Sequence, residues 1–217
     1  FYYNFDLKFV VNHPYFDDFT VRLNNFRVIG NLNSERGAIS TDVTLSKPND
    51  GLALEGHVKS SHLDLGRLLN VGLLHGLDAR VDFKGSAETM SLDDINAELN
   101  LQIDSFGVGD YAYSDISATG LMENGQYYSE VSSEDENMRF TLYAMADRRE
   151  DVPHYGLSIN LEHADLHAVG INRRDSISEL STSMGIDLVG RGLDDFEGFA
   201  SIADVDYKYP QGELSTG

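Results

Sequence analysis

The sequence predicts an all-β protein: an elongated, curved, mainly antiparallel repeat sheet with one apolar face and at most short helical turns. Three observations predict it. Apolar and polar residues alternate with a period of two along most of the chain, turn signals separate the alternating runs, and no apolar stripe recurs at 3.6 residues. The alternation begins at Phe5-Asp-Leu-Lys-Phe-Val and returns at Leu54–Val58 and Leu77-Asp-Ala-Arg-Val-Asp-Phe-Lys84. It is strictest in Ile95-Asn-Ala-Glu-Leu-Asn-Leu-Gln-Ile103, and it resumes in Leu157-Ser-Ile-Asn-Leu-Glu162 and Met184-Gly-Ile-Asp-Leu188. Strict alternation marks strands with one dry face and one wet face. Glu123-Asn-Gly-Gln126 reads as a tight hairpin, Lys47–Gly51 as a turn and Arg148–Pro153 as a longer polar connection. Two stretches break the alternation, Asp64–Asn70 and Asp165–Ile171, and each reads as a helical turn or a bulged corner.

Composition narrows the function classes. The chain has 217 residues, with 16 Lys and Arg against 36 Asp and Glu, a net charge of −20. That charge repels nucleic acid and anionic bilayers, so no nucleic-acid partner is expected. Zero Cys removes disulfides, thiolate metal sites and cysteine nucleophiles together. With 11 Phe and 11 Tyr the chain has enough apolar bulk to fold. No apolar run approaches the roughly 20 residues of a membrane-spanning helix. The chain opens on Phe1-Tyr-Tyr with no leader pattern, and it reads as a piece of something longer.

A repeat is visible. Leu92-Asp-Asp-Ile-Asn96 returns as Leu193-Asp-Asp-Phe-Glu197, an offset of 101 (193 − 92), and His62-Leu-Asp-Leu returns as His163-Ala-Asp-Leu at the same offset (163 − 62). The flanking strands follow in the same order, with a small indel before Ile186. The expected organisation is one continuous β-repeat domain over 1–217, with the repeat covering about 52–113 and 157–210.

The repeated unit runs from an alternating strand through a His-Ala-Asp-Leu corner and a Gly-terminated strand to Gly192-Leu-Asp-Asp-Phe-Glu-Gly198 and Asp204-Val-Asp-Tyr-Lys-Tyr-Pro210. Together with Tyr111-Ala-Tyr-Ser-Asp-Ile-Ser-Ala-Thr-Gly120, it resembles the TamB/AsmA-like proteins of diderm bacteria, in particular the TamB-type chains of the Bacteroidetes. The resemblance implies a long trough-like sheet (a β-taco) with an apolar inner face. It implies a periplasmic location, with the full-length protein anchored in the inner membrane. It also implies a role in carrying phospholipid between the inner and outer membranes, or in translocation and assembly of outer-membrane proteins with a β-barrel partner. The motifs are strand and turn patterns, so they carry over no reactive residue.

The residues offer little catalytic chemistry, and the expectation is a non-enzyme with no catalytic residue, no metal and no cofactor. Paired carboxylates at Asp17-Asp18, Asp93-Asp94 and Asp194-Asp195 suit glycosidic chemistry or calcium, but between strands they read as turn residues bonding their own backbone. Glu134-Asp-Glu136 reads as a solvated loop. His163 and His167 have zinc spacing for a helix, yet no Glu follows His163 and the segment is not helical in pattern. Phe106-Gly-Val-Gly-Asp110 reads as a turn, not a phosphate loop.

What remains is the apolar strand face. It suits either the core of a sandwich or an open groove that holds acyl chains. The groove reading assigns Leu54, Val58, Leu77, Val81, Phe83, Ile95, Leu99, Leu101 and Ile103 to one charge-free surface. Leu157, Ile159, Leu161, Ile186 and Leu188 continue it in the second repeat. Phospholipid acyl chains are the expected partner, with an outer-membrane assembly partner beside them. The competing reading is a structural or adhesive β-module that binds protein or glycan.

Overall fold

A computed structural model describes the backbone of residues 4–12, 15–17, 20–22, 25–47, 51–88, 94–192 and 194–216, and side chains from Phe26 onward within those ranges. The described elements are β1 (Asn4–Asn12), β2 (Tyr15–Asp17), β3 (Thr20–Arg22), β4 (Asn25–Ser34), β5 (Gly37–Ser46), β6 (Leu52–Asp64), α1 (Leu65–Leu69), β7 (Leu74–Ala87) and β8 (Ile95–Val108). They continue with β9 (Tyr111–Glu123), β10 (Gln126–Asp135), β11 (Met138–Asp147), β12 (His154–Asp165), β13 (Glu179–Val189), β14 (Glu197–Tyr209) and β15 (Gly212–Thr216). One 13-stranded sheet runs β1-β4-β5-β6-β7-β8-β9-β10-β11-β12-β13-β14-β15, and β2 pairs with β3 apart from it. Every pairing is antiparallel, so from β4 onward the sheet is a plain meander. The fold is all-β, elongated and curved, as the alternation predicts.

Local chemistry explains the connections. Asn124 and Gly125 both take positive φ, 51° and 76°, the pair of left-handed residues that a two-residue hairpin turn requires. Residues 148–153 form the long connection between β11 and β12. The break at Asp64–Asn70 is α1: the Asp64 carboxylate accepts from the Arg67 N–H at 3.0 Å, and Asn70 ends the turn in the left-handed conformation. The matching break after Asp165 forms turns without a helix. Leu92, Asp93 and Leu193 lie outside the described residues, as does the centre of the turn expected at Lys47–Gly51.

The sheet has a crease. One row of register partners runs Ser60–Ala79–Ile103–Ile116–Ser133–Phe140–Leu161–Thr182. Just beyond it the pairing slips in strand after strand: between Ser60 and Leu63, around Asp104, between Leu161 and Ala164, and between Ser181 and Ser183. The slips in β6 and β12 stand 101 residues apart (161 − 60), the offset of the repeat. Extra residues bend a strand and raise its twist, so bulges aligned in a row bend the whole sheet along a line. His62, Asp115 and Asp204 adopt left-handed φ of 49°, 51° and 51° at this line. Ser60, Ala79, Ser133 and Thr182 are buried there, and all point to the apolar face. The bend therefore closes toward that face.

Away from the crease the sheet is a single layer. All extensive contacts between strands run between hydrogen-bonded neighbours. The accessible surface is 14498 Å², against roughly 10,000 Å² for a compact monomer of this mass. Among the described residues the buried apolar side chains are Ala79, Ala164 and Val169. At the far edge, β15 pairs with Val205–Tyr209 of β14. The outer backbone edge of 197–204 has no strand partner among the described residues.

Candidate functional site: an uncovered apolar sheet face

Antiparallel partners point to the same side of a sheet, so the register assigns each strand residue to a face. A central row runs Val58–Val81–Leu101–Ala118–Val131–Leu142–Ile159–Met184–Ile202 without a polar residue. The next row runs Gly56–Phe83–Leu99–Gly120–Ser129–Ala144–Leu157–Ile186–Ala200. The groove residues expected from sequence all fall on this one face. Leu54 pairs with Gly85, and Ile95 with Ala87, toward one end of the strands. Ile103 and Leu161 lie on the crease row, Leu77 just past it, and Leu188 pairs with Tyr155 in the second repeat.

These side chains are neither core nor fully solvated. Leu54, Leu99 and Ile186 are exposed, at 40%, 41% and 38%, and the others are half-buried. Their burial comes from same-face neighbours in the one layer, because no second layer covers them among the described residues. The middle of the second row is small (Gly120, Ser129, Ala144), while Phe83, Leu99, Leu157 and Ile186 stand at its flanks. The face therefore has relief: a shallow dip over β9 to β11, bounded by Leu99 on β8 and Leu157 on β12.

Register places a single charged strand residue on this face between β4 and β14, Asp135. The sequence reading of Glu134-Asp-Glu136 as a solvated loop is corrected here, and with it the expectation of a charge-free face. Glu134 and Asp135 end β10, and Asp135 is 2% exposed. Pairing between β9 and β10 stops at Ile116–Ser133, so beyond the crease the backbone of β9 loses its partner. The Asp135 carboxylate replaces that partner. It accepts from the Tyr111 hydroxyl at 2.5 Å, the Ser114 N–H at 2.8 Å and the Asn137 N–H at 2.9 Å, with the Ser114 hydroxyl at 3.3 Å. Burial pushes the acid's pKa up, but these donors outweigh it and hold the carboxyl below the ordinary range. Burial and the same carboxylate push the Tyr111 phenol up, so it stays a donor.

The opposite face carries the charge, in cross-strand pairs. Arg27 grips Asp42 with two nitrogens, and Lys84 meets Glu98 at 2.9 Å. At the end of β11, Arg149 two residues further on holds the Asp147 carboxyl far below its usual range. Asp195 accepts from the N–H groups of Arg191 and Gly192 at 2.9 and 2.7 Å, the turn role that its sequence suggested. His163 sits on β12, while His167 sits in the following turn and donates from Nδ1 to the Asn172 carbonyl. Among the described residues no His, Asp and Glu side chains are grouped to hold a metal ion, and no helix is long and apolar enough to cross a membrane.

Comparison with family models, with curated proteins and with solved structures returned no match. The class is therefore defined by the fold alone: an open, creased, single-layer antiparallel sheet with one apolar face.

Proposed function

We propose that the apolar face receives the acyl chains of phospholipid. In this reading the chain is a periplasmic segment of a TamB/AsmA-like envelope protein that moves lipid between inner and outer membranes or assists outer-membrane protein assembly. The observation that carries the reading is the central row from Val58 to Ile202, unbroken by any polar residue and uncovered among the described residues. Each methylene leaving water for such a surface contributes about 0.8 kcal/mol, so a chain of ordinary length binds without a polar anchor. The one charge on the face stands at the crease with its lone pairs occupied, and the path along the central row is free of it.

Native mass spectrometry after mild purification tests the reading, with co-purifying phospholipid expected. Leu101→Asp and Ile159→Asp in the middle of the face should abolish it while the sheet still folds, because a bare carboxylate there meets the acyl chain. Recovery of lipid-free protein, or equal lipid crosslinking to both faces, removes the proposal.

A further inference from the structure

The polar face holds a feature that the lipid reading does not use. A depression of ≈ 610 Å³ lies over β8 to β13 on this side. Its walls come from two rows, and the row between them, from Leu99 to Ile186, forms its floor. One runs Glu98–Leu121–Tyr128–Met145–Gly156, and the other includes Glu130 opposite Tyr143. Large apolar and aromatic side chains cluster here on a face that elsewhere is mostly Asn, Ser, Thr and charge, with isolated exceptions such as Ile29 and Phe199. Tyr128 and Tyr143 are nonetheless 45% and 53% exposed. Gly156 leaves room into which Met145 folds, its Cγ 2.9 Å from where a Cβ would stand.

Charge decides what fits. Glu130 stands between the two tyrosines, beside Tyr128 along β10 and across from Tyr143, and it has no ion pair or hydrogen bond among the described residues. The neighbouring cations are engaged elsewhere: Lys84 on Glu98 and Arg149 on Asp147. An unpaired carboxylate flanked by two tyrosines, with thioether and leucine walls, suits a diffuse positive charge on an apolar body. The ring quadrupole and the carboxylate both attract the cation, while the apolar walls take its alkyl groups. A neutral sugar can donate hydroxyl hydrogen bonds to Glu130 but carries no charge to complement it, and an anion is repelled.

We propose that this depression is a binding site for a small organic ammonium ion. The site lies across the sheet from the apolar face, with the row Leu99–Gly120–Ser129–Ala144–Leu157–Ile186 common to both.

The test uses the whole chain and three probes at low salt: choline, its neutral isostere 3,3-dimethylbutanol, and benzyltrimethylammonium. Binding is followed by NMR shifts of the Tyr128 and Tyr143 rings and by calorimetry. Benzyltrimethylammonium should bind most tightly, choline next, and the neutral isostere at least about fivefold more weakly than choline. Glu130→Gln and Tyr143→Ala should each weaken choline binding about five- to tenfold. Both positions face solvent, so these variants should fold. The wild-type ring shifts give an answer that needs no variant. Equal binding of choline and its isostere, shifts confined to other tyrosines, or unchanged affinity in Glu130→Gln each overturns the proposal. So does a lysine-containing tripeptide that binds more tightly than benzyltrimethylammonium, which would make the depression a peptide site.

Discussion

The crease and the open face are built from the same strands, yet they are stabilised differently. On the open face the ladder is regular, every strand has its neighbour, and side chains such as Leu99 remain 41% exposed. At the crease the ladder slips, and side chains supply the missing bonds. Asp78 accepts from the His62 N–H at 2.7 Å, Ser60 from the Ala79 N–H at 3.2 Å, and Thr182 donates to the Ala203 carbonyl at 3.1 Å. Asp135 does the same with three donors besides the Ser114 hydroxyl. Backbone polar groups taken out of water need partners, so a bend that breaks pairing is stable only where side chains restore it. Stability is thus concentrated on a line that touches little of the face, and the face is left free to vary its occupant.

The sharpest way to break this contrast is Asp135→Ala, which strands the Tyr111 hydroxyl and two N–H groups. It should cost about 3 kcal/mol or more in urea unfolding, with the slope unchanged. The same network sets an acid limb. Because the folded pKa of Asp135 lies below its unfolded value, its contribution is fully present above about pH 4 and is lost as pH falls through the folded value. The gap in stability between the wild type and Asp135→Asn should therefore narrow as pH drops below 4. A constant gap would locate the stabilisation elsewhere.

A smaller effect is expected at Ala164, which is 0% exposed beside the slip in β12. Ala164→Leu should cost about 2 kcal/mol by overpacking. On the open face Leu99→Ala should cost only about 1 kcal/mol, since the side chain is little more than half withdrawn from water. A loss as large as at the crease would mean that something covers the face in solution. Smallest of all, Asn160→Asp on the polar face should stay within about 0.5 kcal/mol, read from the same unfolding curves.

Much of this was legible in the residues, and the exceptions share a cause. The runs in β7, β8, β12 and β13 alternate so strictly that strand identity and face both follow, and Asn124-Gly125 fixed its hairpin. The crease was written as a change of parity. Apolar positions are odd through Ile103 and even at Phe106, and even at Ile116 but odd at Tyr113. Such a slip is easily mistaken for the end of a strand. Asp135 was misread because an acidic triplet looks solvated, and the donors that bury it come from Tyr111 and Ser114 on another strand. The depression on the polar face was signalled by Tyr143 standing between Glu130 and Ser158 in register, and by Leu121, Tyr128 and Met145 meeting on a face whose other rows are mostly polar. Long-range pairing decides these three features, and spacing along one strand does not contain it.

The meander order also governs how the chain reaches its shape. From β4 onward each strand pairs with the next along the sequence, so a partner is found about 20 residues away, and relative contact order is roughly a tenth, low for a β protein. No strand waits for a distant one. The sheet can lengthen by one rung at a time as polypeptide is delivered, and a growing end is competent at every stage. By the same logic it can be peeled from β15 inward, with each rung yielding separately as in other linear repeat arrays. Pulling on the two ends should therefore give a series of small unfolding steps and no single rupture.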